Sequence, residues 1–433
     1  MYSDDPQFIC RHLAEEAPNG YRYRFAWFTG YGKDLNWTCE DCAKSYPSAP
    51  EPWLPATKEW LAKNRDTIYW RGICGSPEIK HRQSGLSFSA RDLELEDAPI
   101  SFVDIRPVLG RPTCWQALST TGRLVLFSTQ ETKILASVPL EDLGFEITGE
   151  TGFCISPDNE FAVVSQASGP NAALVNVKTG KIISKLSRGD YHCENSHFPV
   201  AFFRNEDRTY LIAASDWNRL DLYDPATGKV LSERGPTCYV NKERPPHYLD
   251  YFHGGLCVSP DQQFVVDNGW VWHPMGFLRA WNLPAWLNNE WESEDGPTYR
   301  DLACREAWDE PVCWINNFTL ASWGWGDEEW MVPAAVLIDV RDGKQLQWFP
   351  GPKVRMSGAW PPRRLTESFF FDQYLFAVHD NDGTTVWDIK SGDCLLTDPQ
   401  VKPWRYHPDS KEFIEITQTG FRVSTLIDAC AIE

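Results

Sequence analysis

The sequence predicts an all-β protein: a seven-bladed β-propeller closed by an N-terminal strand, with a small Cys-rich N-terminal appendage. Three observations carry this. Lys133, Lys181 and Lys229 are 48 residues apart, each followed by two aliphatic residues. Lys344 and Asp393 extend the series at a spacing of 49, each with a glycine before it. A period of this length that contains short β-like runs marks a propeller blade or another repeated β unit. The third observation is that the last repeat stops one strand short.

Each repeat reads as four strands, A to D. In the second, Gly152-Phe-Cys-Ile is strand A, Phe161-Ala-Val-Val strand B, Ala173-Leu-Val-Asn-Val strand C, and Ile182-Ile183 opens strand D. Ser156-Pro-Asp158 is a tight A–B turn, because proline presets φ and aspartate caps the turn. The fourth repeat copies this order through Gly255-Leu-Cys-Val, Ser259-Pro-Asp261, Phe264-Val-Val and Phe277-Leu-Arg-Ala-Trp281. The third runs through Val200, Leu211 and Leu220, the fifth includes Val336-Leu-Ile, and the first is degenerate, from Ser101 to Val138. The sixth contains Phe369-Phe-Phe, Leu375-Phe-Ala-Val and Thr385-Val-Trp387-Asp388-Ile. In the seventh, His407-Pro-Asp409 replaces the Ser-Pro-Asp turn, and strands B and C follow before the chain stops at Glu433. Three strands would leave an open edge, an aggregation liability. Leu86 to Leu95 alternates as a strand should and precedes the first blade, so it is expected to supply the missing strand.

Thr385-Val-Trp-Asp-Ile-Lys-Ser-Gly is close to the strand-C signature of the WD40 family, and the Ser-Pro-Asp and Asp-x-x-Thr-Gly-Lys turns are typical of it. Over roughly residues 86–428 the chain resembles a divergent WD40-like propeller. It departs from the pattern in lacking the Gly-His dipeptide and in having Trp-Asp in one blade only. The resemblance implies a scaffold fold, which by itself names no partner.

Residues 85–433 are expected to form the propeller and residues 1–84 the appendage, rich in Cys, Trp and Pro. Pro52 to Asn64 reads as a short helix with Thr57 as its cap, and Arg22 to Phe28 and Asn36 to Thr38 read as strands. So small a unit needs a staple. Cys10, His12, Cys39 and Cys42 can supply a Cys3His structural zinc site, with Cys74 as the alternative to His12, because Cys-x-x-Cys in a turn presents two thiolates to one tetrahedral metal.

Composition bounds the rest. The chain has 433 residues with a net charge of −19, and 21 are tryptophan. So acidic a chain lacks the Lys/Arg clusters that nucleic acid needs, and it favours cationic partners. No apolar run spans a bilayer and no secretory signal opens the chain. The 13 scattered cysteines fit reduced thiols in the cytoplasm.

Ten tryptophans lie between Trp270 and Trp330, and from Trp286 to Trp330 there are eleven Asp/Glu against Arg300 and Arg305. The interval from Lys229 to Lys344 is 115 residues, longer than two periods, so extra loop is expected in the fourth and fifth blades. Trp270, Trp272 and His273 in one B–C loop, and Trp323, Trp325, Glu328, Glu329 and Trp330 in the next, are expected to stand side by side on one rim. Exposed indoles among carboxylates suit a basic protein or peptide. A narrower form of this reading is an intracellular neutraliser of a basic effector. The alternative is a metal-dependent hydrolase or lyase at the channel mouth, built from His192, His197, His247 and His253.

Overall fold

The periodic lysine stands at or next to the first residue of the outer strand of its blade, and the residue before it explains the period. Gly180, Gly228, Gly343 and Gly392 all adopt positive φ, between 69° and 73°. Each donates its backbone N–H to the carbonyl four residues earlier, on Asn176, Asp224, Asp339 and Asp388, at 2.8–2.9 Å. The side chains of those four residues accept backbone N–H groups inside the same turn. The C–D turn thus needs an Asx residue at its start and a left-handed residue at its end, which glycine adopts at no steric cost. At Gly180 an added Cβ would lie 2.0 Å from the Pro139 carbonyl oxygen, whereas at Gly343 the nearest atom is 3.1 Å away. Gly180→Ala should therefore cost more than about 2 kcal/mol, and Gly343→Ala only the ~1 kcal/mol of the left-handed backbone. Equal losses in denaturant melts would contradict this account.

This computed structural model describes residues 79–95, 101–232, 234–272, 275–305, 310–326, 331–355, 367–417 and 420–429, and the backbone of four short strands nearer the N-terminus. Those four, Phe8–Ile9, Arg22–Trp27, Leu35–Cys39 and Trp53–Pro55, form one sheet in which Leu35–Cys39 and Arg22–Trp27 are the central antiparallel pair. The two strands expected around the Cys-x-x-Cys are present. The helix expected from Pro52 is not what its start forms, since Trp53–Pro55 pairs with Arg22–Arg24 as an edge strand. Proline is tolerated at such an edge. Cys10, His12, Cys42 and Cys74 lie outside the described residues, as does the Cys39 side chain.

Seven four-stranded antiparallel sheets follow, each in the simple order A-B-C-D. Blade 1 runs from Phe102 to Pro139, blade 2 from Thr151 to Ser187, blade 3 from Val200 to Val230 and blade 4 from Phe252 to Arg305. Blade 5 runs from Val312 to Pro350 and blade 6 from Phe369 to Asp398. Blade 7 takes strands A to C from Arg405 to Asp428 and its outer strand from Leu86–Leu93. The register is continuous, from Phe421 opposite Leu93 to Asp428 opposite Leu86. The ring is closed by the N-terminal strand, as the incomplete last repeat requires. The segment just before it is also tied down. Cys394 of blade 6 exchanges backbone hydrogen bonds with Lys80 and Arg82, and the Arg82 side chain reaches Asp388 and Asp393.

The core is a set of clusters between successive blades rather than one centre. Trp115, Phe127 and Phe421 join blade 7 to blade 1, with the Phe127 and Phe421 rings stacked at 4.6 Å. Leu220, Trp281 and Trp286 join blades 3 and 4, and Trp387 with Phe349 joins blades 5 and 6. The alternating pattern of each strand places one apolar face against each neighbouring blade.

The extra residues of the fourth repeat lie between its strands C and D. They form two short helices, Leu283–Trp286 and Glu292–Asp295, capped at the first by the Asn282 side chain. The second helix packs beside blade 3, whose outer strand has only two residues, Lys229–Val230. Fully buried Arg234 bridges the two blades. It pairs with Asp221 at 3.0 Å and Glu294 at 2.6 Å, and donates to the carbonyls of Leu220 and Glu290. Buried Glu292 accepts from Thr298 and Asn289. Glu292 and Glu294 of the acidic, Trp-rich stretch are therefore internal and belong to no charged rim.

Candidate functional site

Strand direction alternates from A to D, so each B–C turn lies at the same end of its blade as the D–A connection. At this end of blades 2, 3 and 4 aromatic rings gather. Tyr191 and His192 come from the connection into blade 3, and Trp217 from the B–C turn of blade 3. Tyr239, Tyr248 and Phe252 come from the connection into blade 4, and Trp270 and Trp272 from the B–C hairpin of blade 4. Phe252 is the buried hub. It stacks on Trp270 at 4.0 Å and 9°, meets Trp217 at 4.5 Å, and lies 5.9 Å from Tyr191. Trp272 stands edge-on to His192 at 4.7 Å and to Phe252 at 5.7 Å. Tyr248 extends the group to Tyr239 at 4.9 Å, with Arg244 over its ring. The outer members face solvent: Tyr191 is 50% exposed, Tyr239 53% and Trp272 43%. Adjacent Val240 is exposed as well.

Buried polar side chains hold the loops that carry these rings. Arg188 donates to the carbonyls of Gly169, Cys193, Ser196 and His197 at 2.6–3.1 Å, which fixes the Tyr191 loop. His192 takes a left-handed backbone at φ 53° there. Asn218 is fully buried. It donates to Thr237 and Leu249 and accepts from Thr237 Oγ1 and Cys238 Sγ, so the turn of blade 3 carries the loop of Tyr239. The Tyr251 hydroxyl accepts from the Gly269 amide at 2.8 Å beneath Trp270. Loops fixed in this way lose little entropy when a partner binds.

The rim is acidic. Its loops, residues 189–195, 216–218 and 239–250, carry Asp190, Glu194, Asp216, Glu243 and Asp250 against Lys242 and Arg244. Burial, helped by the charge of Asp216, pushes the Cys238 thiol up to about 12. Burial and then Asp250 raise the Tyr248 hydroxyl.

Of the residues expected to form the rim, Trp272 lies in the cluster and is exposed. Trp270 does not face solvent as expected: it is 1% exposed and packs on Phe252. Trp323, 5% exposed, donates its indole N–H to the Pro352 carbonyl between blades 5 and 6. Trp325 is half-buried and stacks on Trp348 at 4.4 Å. The reason is strand length. Strand B of blade 4 extends through Val271 and that of blade 5 through Gly326, so residues read as loop belong to the sheet and alternate inward. His273, Glu328, Glu329 and Trp330 lie outside the described residues. Among the described residues the aromatic centre thus falls over blades 2 to 4. Tyr191, Trp217, Phe252 and Tyr248 are single aromatics spread over three loops, and only the repeat register could have placed them together.

The four histidines are engaged separately. His253 is buried with Nδ1 2.5 Å from Asp267, and His247 stacks on Trp291 and pairs with Asp295 at 2.9 Å. His192 belongs to the aromatic cluster, and burial, followed by the charge of Arg188, lowers His197 to about 3. Among the described residues no group of three His, Cys, Asp or Glu side chains is placed to hold a metal ion.

The inner strands enclose a central cavity of about 450 Å³. Arg106 pairs with Glu367 at 2.7 Å and Asp104 at 3.3 Å, and Arg405 binds the other Asp104 oxygen at 2.8 Å. Burial raises the thiols of Cys154, Cys257 and Cys313 in its wall, which disfavours the nucleophilic thiolate.

No protein-family model matches the sequence, and no curated protein is similar to it. Solved structures share its fold. A crystal structure of RRP9 WD40 repeats aligns with a TM-score of 0.51 at 12% identity, covering 81% of this chain and all of that one. The structure of U3-55K aligns with a TM-score of 0.48 at 12% identity, covering 78% of this chain and 98% of that one. With seven blades of four strands each, the chain is a WD40-like seven-bladed β-propeller. No helix among the described residues is long and apolar enough to cross a membrane.

Proposed function

We propose that this protein is a non-catalytic interaction scaffold whose rim over blades 2 to 4 binds a basic protein segment. One observation carries the reading: Tyr191, Tyr239 and Trp272 form one exposed aromatic surface on loops fixed from below. Five carboxylates against two basic side chains favour a cationic partner. Lysine and arginine bind such a surface through cation–π contacts and charge pairing. The same balance of charge disfavours nucleic acid. A basic effector held in check inside the cell is the narrower form of this reading.

The test uses a fluorescent Arg/Lys-rich peptide of about ten residues. Its association should slow as salt rises, because exposed charges are screened over about 8 Å at physiological ionic strength. Trp272→Ala should weaken binding by about 2 kcal/mol, roughly 30-fold, with little change in melting temperature because the side chain is half exposed. Asp190→Asn with Asp250→Asn should mainly lower the on-rate. Unchanged affinity in the Trp272 variant would end the assignment of this rim.

A further inference from the structure

The central cavity holds one buried carboxylate that the ion pairs around it leave out. Its four lining carboxylates are Asp104, Glu150, Glu310 and Glu367. Asp104 and Glu367 are neutralised by Arg106 and Arg405. Arg355 is taken by Asp380 and by the carbonyls of Lys402 and Pro403. Glu310 is different. It lies just before the inner strand of blade 5, so it belongs to the same end of the ring as the aromatic rim. It is 2% exposed, and its Oε2 has no hydrogen-bond partner among the described residues. Its backbone is held, with its carbonyl accepting from Asn268 at 2.8 Å. Burial lifts its carboxyl to about 7, and the charge of Arg305 only partly opposes this. A buried carboxylate oxygen left without a hydrogen bond is costly to keep, so its presence in a cavity wall calls for a ligand. The remaining wall includes the rings of Phe153, Phe198, Phe369 and Tyr406, and the volume falls in the range of small-molecule pockets.

We propose that the central cavity is a binding site for a small organic cation, an ammonium or guanidinium group on an apolar stem, with Glu310 as its anchor. The carboxylate supplies the charge-assisted hydrogen bond and the aromatic walls take the stem. This stands apart from the rim reading, since it rests on no rim residue. Two sources offer the same chemistry: a free amine, or a lysine or arginine side chain of a bound protein.

The test is calorimetric titration of the full chain with n-butylguanidinium, and with n-pentanol as an uncharged probe of similar length. Butylguanidinium should bind, pentanol should not, and the nearly isosteric Glu310→Gln should weaken butylguanidinium about tenfold or more. Trp272→Ala should leave that binding unchanged, which separates failure here from failure at the rim. Displacement of butylguanidinium by the Arg/Lys-rich peptide would assign the cation to a partner's side chain, and independent binding of the two would assign it to a free amine. A Glu310→Gln protein that melts like the parent and binds butylguanidinium equally well would overturn the proposal, as would equal binding of pentanol.

Discussion

Removal of residues 1–95 is expected to abolish cooperative unfolding and to make the protein aggregate. The deletion strips strand C of blade 7 of a partner paired across eight residues, Phe421 to Asp428. The freed row of N–H and C=O groups becomes a template for other chains. It also takes Leu93 and Leu95 from the cluster that joins blade 7 to blade 1, and Leu86 from the cluster that joins blade 6 to blade 7. Because the core is distributed between blades, opening two adjacent interfaces uncouples the ends of the ring. Removal of residues 1–78 alone keeps this strand and the Arg82 contacts with blade 6, and it should leave a single sharp transition. Calorimetry of the two truncations checks this. A soluble, cooperative protein lacking residues 1–95 would show that blade 7 does not need its outer strand.

The second large effect is expected at Arg234. Its side chain is fully buried, and its partners Asp221 and Glu294 are almost so. Arg234→Ala leaves Glu294 buried without its counter-charge and Asp221 with Arg219 alone, which costs about 3–5 kcal/mol. It also removes the donor to Leu220 and the cation–π contact with Trp291 at 5.1 Å, so the second helix should detach from blade 3. Arg219 still contacts Asp221 at 2.7 Å, so Glu294 is the group stranded most completely. The double variant Arg234→Met with Glu294→Gln should therefore recover part of the loss. Denaturant melts of the single and double variants measure the coupling. A loss under about 1 kcal/mol in Arg234→Ala would mean that the helix is not anchored there.

The propeller was legible in the sequence because its turns are local. An Asx residue and a left-handed glycine interact within five residues, so Asn176 to Gly180 and Asp388 to Gly392 carry their geometry wherever they occur. The missing strand was legible too, since a blade with three strands must find a fourth and Leu86 to Leu93 alternates correctly. The rim was legible only in part. Trp272 is exposed at the end of its hairpin, but Trp270 and Trp323 were read as loop although two hairpins extend further than the repeat suggests. In a strand, one residue of added length turns a side chain from outside to inside.

Blade number, strand order and ring closure were therefore determined by the sequence itself, through short-range turn chemistry and the alternation of each strand. The tertiary structure alone decided which aromatics meet. Tyr191, Trp217, Phe252 and Trp272 span 82 positions, and only the stacking of blades 2 to 4 brings their loops together. It alone decided, too, that Glu292 and Glu294 are internal while Asp190 and Asp250 face solvent. Charge and indole count are properties of a stretch of chain, but exposure is set by the blade beside it, which is distant in sequence and leaves no local signal.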